Sequence, residues 1–181
     1  MRRFPPAVLP VALALLLFVS SAFAMMDHTM PAAGKYSDRA FLSGMIAHHE
    51  GAVLMAQQFL DTPGQTRDPQ VTTWAKDILT TQNKEIALMR ELLPVTGGMD
   101  EAAFQEMQKS MKAMIHAGIN KNPNTGFVEM MLPHHEQALE MAAPALLHSR
   151  NPKVLDLAEA IISAQAKEMR AFRAWLNAHA H

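Results

Sequence analysis

The 181-residue chain contains no cysteine. That excludes a disulfide framework and a thiolate metal site, so any soft metal ion must be held by methionine sulfur and imidazole nitrogen. Neither sign of charge dominates: 16 basic residues face 17 acidic ones. Nothing is basic enough to suit nucleic acid. No nucleophile stands beside a base and no phosphate-binding glycine loop occurs, so hydrolase and kinase chemistry have no support. No segment shows the alternation of a strand.

Residues 1–24 read as a cleavable export leader. Arg2 and Arg3 form a positive start, Val11 to Val19 an apolar run, and Ala22-Phe23-Ala24 a small-residue cleavage site. The run is too short to span a bilayer comfortably, so no membrane contact is expected after a cut following Ala24. The surroundings of Arg2-Arg3 match a twin-arginine route poorly. The expected destination is the periplasm or the medium. The mature chain has 157 residues, 14 basic and 17 acidic, which suits one domain with a real core. Its start, residues 25–36, is a tail carrying Met26, His28 and Met30, either an auxiliary capture site or a polar tail with chance methionines. His28 would be fourth after the cut, whereas an amino-terminal copper(II) chelate needs histidine third.

One pattern occurs twice. Met45-Ile46-Ala47-His48-His49-Glu50 is matched by Met131-Leu132-Pro133-His134-His135-Glu136, and Phe41, Ala52 and Met55 are matched by Phe127, Ala138 and Met141. Phe41, Met45, His48, Ala52, Met55 and Phe59 alternate in steps of four and three, one stripe of an amphipathic helix. His48 and His134 therefore fall on buried stripes, and His49 and His135 about 100° round from them. A lone histidine there would read as a tolerated core residue. Two His-His pairs, each with methionine three residues earlier, point to ligands.

The first helix is predicted from Ser37 or Asp38 to about Leu60, and the second from the Asp68-Pro69 start signal to Leu93, before Pro94. Residues 100–119 form a connecting helix with Phe104, Met107, Met111 and Met114 on one face. Those methionines could extend a metal path, but core filling is the commoner use. Asn120 to Gly126 reads as a polar turn, and the next helix as Phe127 to about His148. Asn151-Pro152 opens the last, which ends near Asn177. Val71, Ala75, Ile78, Gln82 and Glu85 match Val154, Ala158, Ile161, Gln165 and Glu168. Two matched hairpins, 37–93 and 127–178, predict an all-α four-helix bundle over 37–178 with an extra crossover helix.

Gln82, Glu85, Gln165 and Glu168 interrupt the apolar stripes of their helices. A carboxylate facing a core is costly unless it is paired or metal-bound. Counted from the hairpin turns, His48 and Gln82 both lie roughly 19 Å along their helices, and His134 and Gln165 nearly the same. Histidines and Gln-x-x-Glu pairs should share a layer. The glutamates could be ligands, or acceptors that fix the imidazole tautomer, and His-Glu contacts could also exist without metal.

Met-x-x-His-His with downstream Ala and Met-Ala, then Gln-x-x-Glu, resembles the "domain of unknown function 305" family over nearly all of 37–178. The resemblance implies a ferritin-like four-helix fold. Some exported members bind copper through methionine and histidine, which implies metal handling by Met45, His48, His49, Met131, His134 and His135. The family often carries proline before the His pair. Pro133 keeps it and Ala47 departs. Pro133 removes the helical N–H that would reach the Glu129 carbonyl, so the second site is expected to be the more kinked.

Ferritin-like di-iron sites use Glu-x-x-His, a spacing absent from this chain. Met-x-x-His stands at the same offset, a soft thioether in place of a hard carboxylate. That set favours copper(I). Copper(II) is compatible with the imidazoles, and zinc, nickel and iron rank behind. Three classes stay open: an exported copper-binding protein that buffers the ion or passes it to a transfer partner, a ferritin-like metallo-oxidase using Glu85 and Glu168, and a helical interaction module with core histidines. The first is favoured, without enzymatic turnover.

Overall fold

A computed structural model describes residues 36–117 and 122–179, apart from the side chains of His116 and Ala117. The expected leader and the stretch bearing Met26, His28 and Met30 lie outside the described residues. The helices are α1 (Asp38–Asp61), α2 (Pro69–Thr96), α3 (Glu101–Ala117), α4 (Pro123–His148) and α5 (Pro152–Ala178), and no strand occurs among the described residues.

Side-chain caps set the helix starts. Ser37 accepts from the Ala40 amide ahead of α1, and Asp68 accepts from the Gln70 and Val71 amides ahead of α2. Asn151 accepts from the Lys153 amide ahead of α5. Proline at the first position follows Asp68 and Asn151, where its missing N–H is no loss. Two sequence-based boundaries are corrected. α4 begins at Pro123 rather than Phe127, because Asn122 caps it through the Asn124 and Thr125 amides. Asn122-Pro123 is the same start signal as Asn151-Pro152, hidden by the polar run around it. α2 continues through Pro94 to Thr96 and stops at Gly97, whose φ of 102° is left-handed. Near a helix end the carbonyl that proline leaves without an amide can be hydrated, so the residue is tolerated there.

The apolar stripes build two clusters. One gathers the start of α1 (Phe41, Met45, Ile46), the end of α2 (Ile86, Met89, Leu92), the end of α4 (Ala138, Ala142, Ala145) and the start of α5 (Val154, Ala158, Ile161). The other gathers the opposite ends: Ala52, Met55, Phe59, Val71, Ala75, Ile78, Phe127, Met131 and Phe172. α1 is therefore antiparallel to α2 and to α4, and α4 to α5. Since α2 and α4 run the same way, the chain must return the length of the bundle between them. α3 carries it back along α1: the Asp100 amide donates to Ser43 Oγ at its start, and Met111 reaches Gly51 farther on. Two hairpins with one long crossover make this a ferritin-like four-helix bundle.

Candidate metal centre

Between the two apolar clusters lies one polar layer. It takes His48 and His49 from α1, Gln82 from α2, His134 and His135 from α4, and Gln165 from α5, all buried. Every helix of the bundle changes from apolar to polar at the same level, because the residues at 46–52, 78–86, 131–138 and 161–172 bracket it in the two clusters.

The contacts are reciprocal. His48 Nε2–H donates to the backbone carbonyl of His134 at 3.0 Å, and His134 Nε2–H donates to that of His48 at 3.1 Å. The two rings lie against each other with centroids 3.8 Å apart and planes tilted by 35°. His49 Nε2–H donates to Glu85 Oε2 at 2.8 Å, and His135 Nε2–H to Glu168 Oε2 at 2.6 Å. The expected contacts of Glu85 and Glu168 with histidine are thus present. Both glutamates are acceptors on imidazole N–H groups, the arrangement that orients a metal-binding histidine from behind.

These bonds decide the tautomers. A carbonyl or carboxylate can only accept, so each Nε2 carries a proton, and a ring in its neutral form then presents a bare lone pair at Nδ1. All four Nδ1 atoms are buried and have no hydrogen-bond partner. Leaving a buried acceptor unpaired costs about 1–3 kcal/mol, and here four such atoms share one level. Burial, and then the neighbouring imidazoles, hold His48 and His134 well below the usual histidine pKa, so their nitrogen stays available at neutral pH.

Met45 and Met131 are fully buried. They do not converge. Met45 belongs to one apolar cluster and Met131 to the other, on opposite sides of the imidazole layer. Side chains on a helix lean toward its N-terminus, so His48 leans over Met45 and His134 over Met131. The six residues thereby fall into one set per hairpin. Among the described residues no three His, Asp or Glu side chains gather into a ready cage. α4 runs unbroken through Pro133 and Pro144, and His134 keeps the bond that His48 makes, so the proline leaves the contact pattern of the second set unchanged.

Of the auxiliary methionines, Met111 is buried against α1, while Met107 and Met114 are half-buried. A Cβ built on Gly51 would sit 2.7 Å from Met111 Cγ and 2.8 Å from its sulfur, so glycine is what lets α3 come this close, one turn from the histidines. The role of Gly51 and the carbonyls of His48 and His134 as acceptors escaped the sequence reading. A Gly-for-Gln difference between the matched positions 51 and 137 was the signal for the first. Backbone acceptors leave none.

Fold and site define an all-helical bundle with a buried, symmetric imidazole layer. The chain belongs to the family described as a domain of unknown function (DUF305), whose model matches residues 21–93, 38–120 and 124–181. Its structure is similar to CopM in the Cu(II)-bound form, with 23% identity and a TM-score of 0.64 over 80% of this chain and 98% of that one. It is similar to a DUF305 fragment from Deinococcus radiodurans, with 24% identity and a TM-score of 0.62 over 77% and 95%. A curated relative, protein L153 of Acanthamoeba polyphaga mimivirus, is 36% identical over 56 residues, 31% of this chain and 35% of that one.

Proposed function

We propose that this is an exported copper-binding protein that buffers copper or passes it on, in homeostasis or resistance. The observation that carries the reading is the set of four buried, unpartnered Nδ1 atoms on His48, His49, His134 and His135. A histidine layer built only for packing would bond both ring nitrogens or place the second in solvent. Here one nitrogen of each ring is anchored and the other kept bare, which is how an imidazole is held for a metal.

The donor chemistry favours copper(I). No thiolate exists in the chain, and the buried thioethers of Met45 and Met131 flank the layer. Thioether with imidazole selects the soft monovalent ion, while imidazole alone also serves copper(II). CopM, solved with Cu(I), Cu(II) and Ag, shares the fold. Glu85 and Glu168 act as acceptors that keep the imidazoles in the ligand tautomer, and so binding rather than oxidation is the proposed activity. The leader pattern at 1–24 supports export.

The test is an anaerobic titration of the metal-free protein with copper(I) against a chromogenic chelator, beside the double variant His48→Leu/His134→Leu. Wild type should compete for copper, and the variant should lose at least about tenfold in affinity while staying helical by circular dichroism. Equal affinity in a folded variant would leave the histidines as core residues. Oxygen consumption by the copper- or iron-loaded protein would favour the oxidase.

A further inference from the structure

The imidazoles are fully buried, yet an ion that binds them must get in and out. α1 is covered by α2, α3 and α4, and α4 by α1 and α5 along its inner faces. α2 and α5 touch only lightly, and between them lies a cleft. Its walls carry Thr81, Gln82, Glu85, Gln165 and Glu168.

Three features of this cleft belong together. Glu85 and Glu168 span from solvent to the layer: their side chains are 15% and 28% exposed, while the His49 and His135 rings they bond are at 0%. Gln82 and Gln165, 2% and 3% exposed, also line it. Gln82 Oε1 and both Gln165 amide atoms are buried without a hydrogen-bond partner. A Gln-x-x-Glu pair at helical spacing sets amide and carboxylate on one face. The two helices thus place two amides and two carboxylates along one opening.

We propose that the α2–α5 cleft is the port for the cation, with Gln82, Glu85, Gln165 and Glu168 as an outer, oxygen-lined subsite. This rests on the imidazole layer being the copper site. Hard oxygen donors suit a soft ion poorly, so the subsite would attract the cation by charge without trapping it. Rapid transfer needs such a balance: favourable enough to enter, weak enough to leave. Each carboxylate also holds an inner imidazole by its Nε2–H and so leaves the bare Nδ1 free for the ion.

Two variants test the port. Gln82→Leu/Gln165→Leu removes the amides at similar volume and leaves all histidines, methionines and glutamates in place. Ala164→Leu narrows the opening without touching any polar group. Copper(I) transfer from a chromogenic chelator to the metal-free full chain is followed by stopped flow, and affinity by equilibrium competition. Both variants are expected to slow uptake and release by about tenfold or more, and Ala164→Leu, which touches no polar group, should change affinity less than about threefold, because a port alters rates and not the end states. If the amide variant fails to fold, Ala164→Leu carries the test. Wild-type rates in a folded variant overturn the port. So does an affinity loss at an unchanged uptake rate, which would make the amides part of the binding site itself. A wild-type protein that takes up no copper(I) overturns the copper reading beneath it.

Discussion

The two halves of the bundle hold the same pair of contacts under different covers. On α1 the outer face carries Ser43, Gly44, Ala47 and Gly51, all buried, and α3 lies on it. The matched positions on α4 are Glu129, Met130, Pro133 and Gln137, of which Glu129 is exposed and the others half-buried. Even so, His48 and His134 bond each other's carbonyl at 3.0 and 3.1 Å, and His49 and His135 bond Glu85 and Glu168 at 2.8 and 2.6 Å. The layer is therefore set by the antiparallel crossing of α1 and α4 and by each hairpin's own second helix. α3 does not define it. The crossover had to return the chain along the bundle, and the small residues of α1 gave it a surface to follow.

The largest expected effect is one in which the halves act alike. His48 and His134 have a depressed pKa in the folded state, so below about 6.5 the unfolded chain binds protons that the folded chain refuses. Stability is complete above that value and falls as pH drops toward the lowered folded values. Between pH 7.5 and 5.5 the metal-free protein should lose stability through these two residues, by at most about 1.4 kcal/mol per pH unit for each, measured by urea denaturation. His48→Leu and His134→Leu should each remove about half of that slope. If one variant removes nearly all of it, the symmetry of the layer is broken.

A smaller effect should separate the halves. Gly51→Leu forces side-chain volume where Met111 already sits, and should destabilise by about 1–3 kcal/mol in denaturant unfolding. Gln137→Leu at the matched, half-buried position should stay within about 0.5 kcal/mol. Met111→Ala should relieve much of the Gly51→Leu penalty, giving a strongly non-additive double mutant. Equal costs at 51 and 137 would show that α3 does not grip α1 there.

The smallest difference lies in the His–Glu pairs. His49→Leu strands Glu85, and His135→Leu strands the more exposed Glu168. Each should cost about 1–3 kcal/mol, with the first a few tenths greater, since water can satisfy Glu168 more readily. Denaturant midpoints of the two variants would rank them.

Much of this was legible because it rests on side-chain pattern. The stripes carrying His48 and His134, the break in the stripe at Gln82 and Gln165, and the equal distances from the turns all place a polar layer from the sequence alone. The division of Met45 and Met131 between opposite clusters was not legible. It follows from α1 and α4 running antiparallel, a tertiary fact, whereas spacing along one helix shows only that each methionine neighbours its own histidine. The early start of α4 was written in Asn122-Pro123 but masked by Asn124, Thr125 and Gly126, which by composition read as a turn. The carbonyl acceptors had no sequence signal, because every residue carries one.

The central claim is that thioether and imidazole act together on a soft ion. Leucine matches methionine in volume and lacks a donor, so Met45→Leu/Met131→Leu should cost less than about 1.5 kcal/mol per buried site in the metal-free protein. The direct measurement is the copper(I) affinity of that folded double variant by chelator competition, with copper(II) titrated in parallel. The account predicts a marked loss for copper(I) and a smaller one for copper(II), which the imidazoles still hold. Unaltered copper(I) affinity would contradict it and reduce the site to histidine and carboxylate.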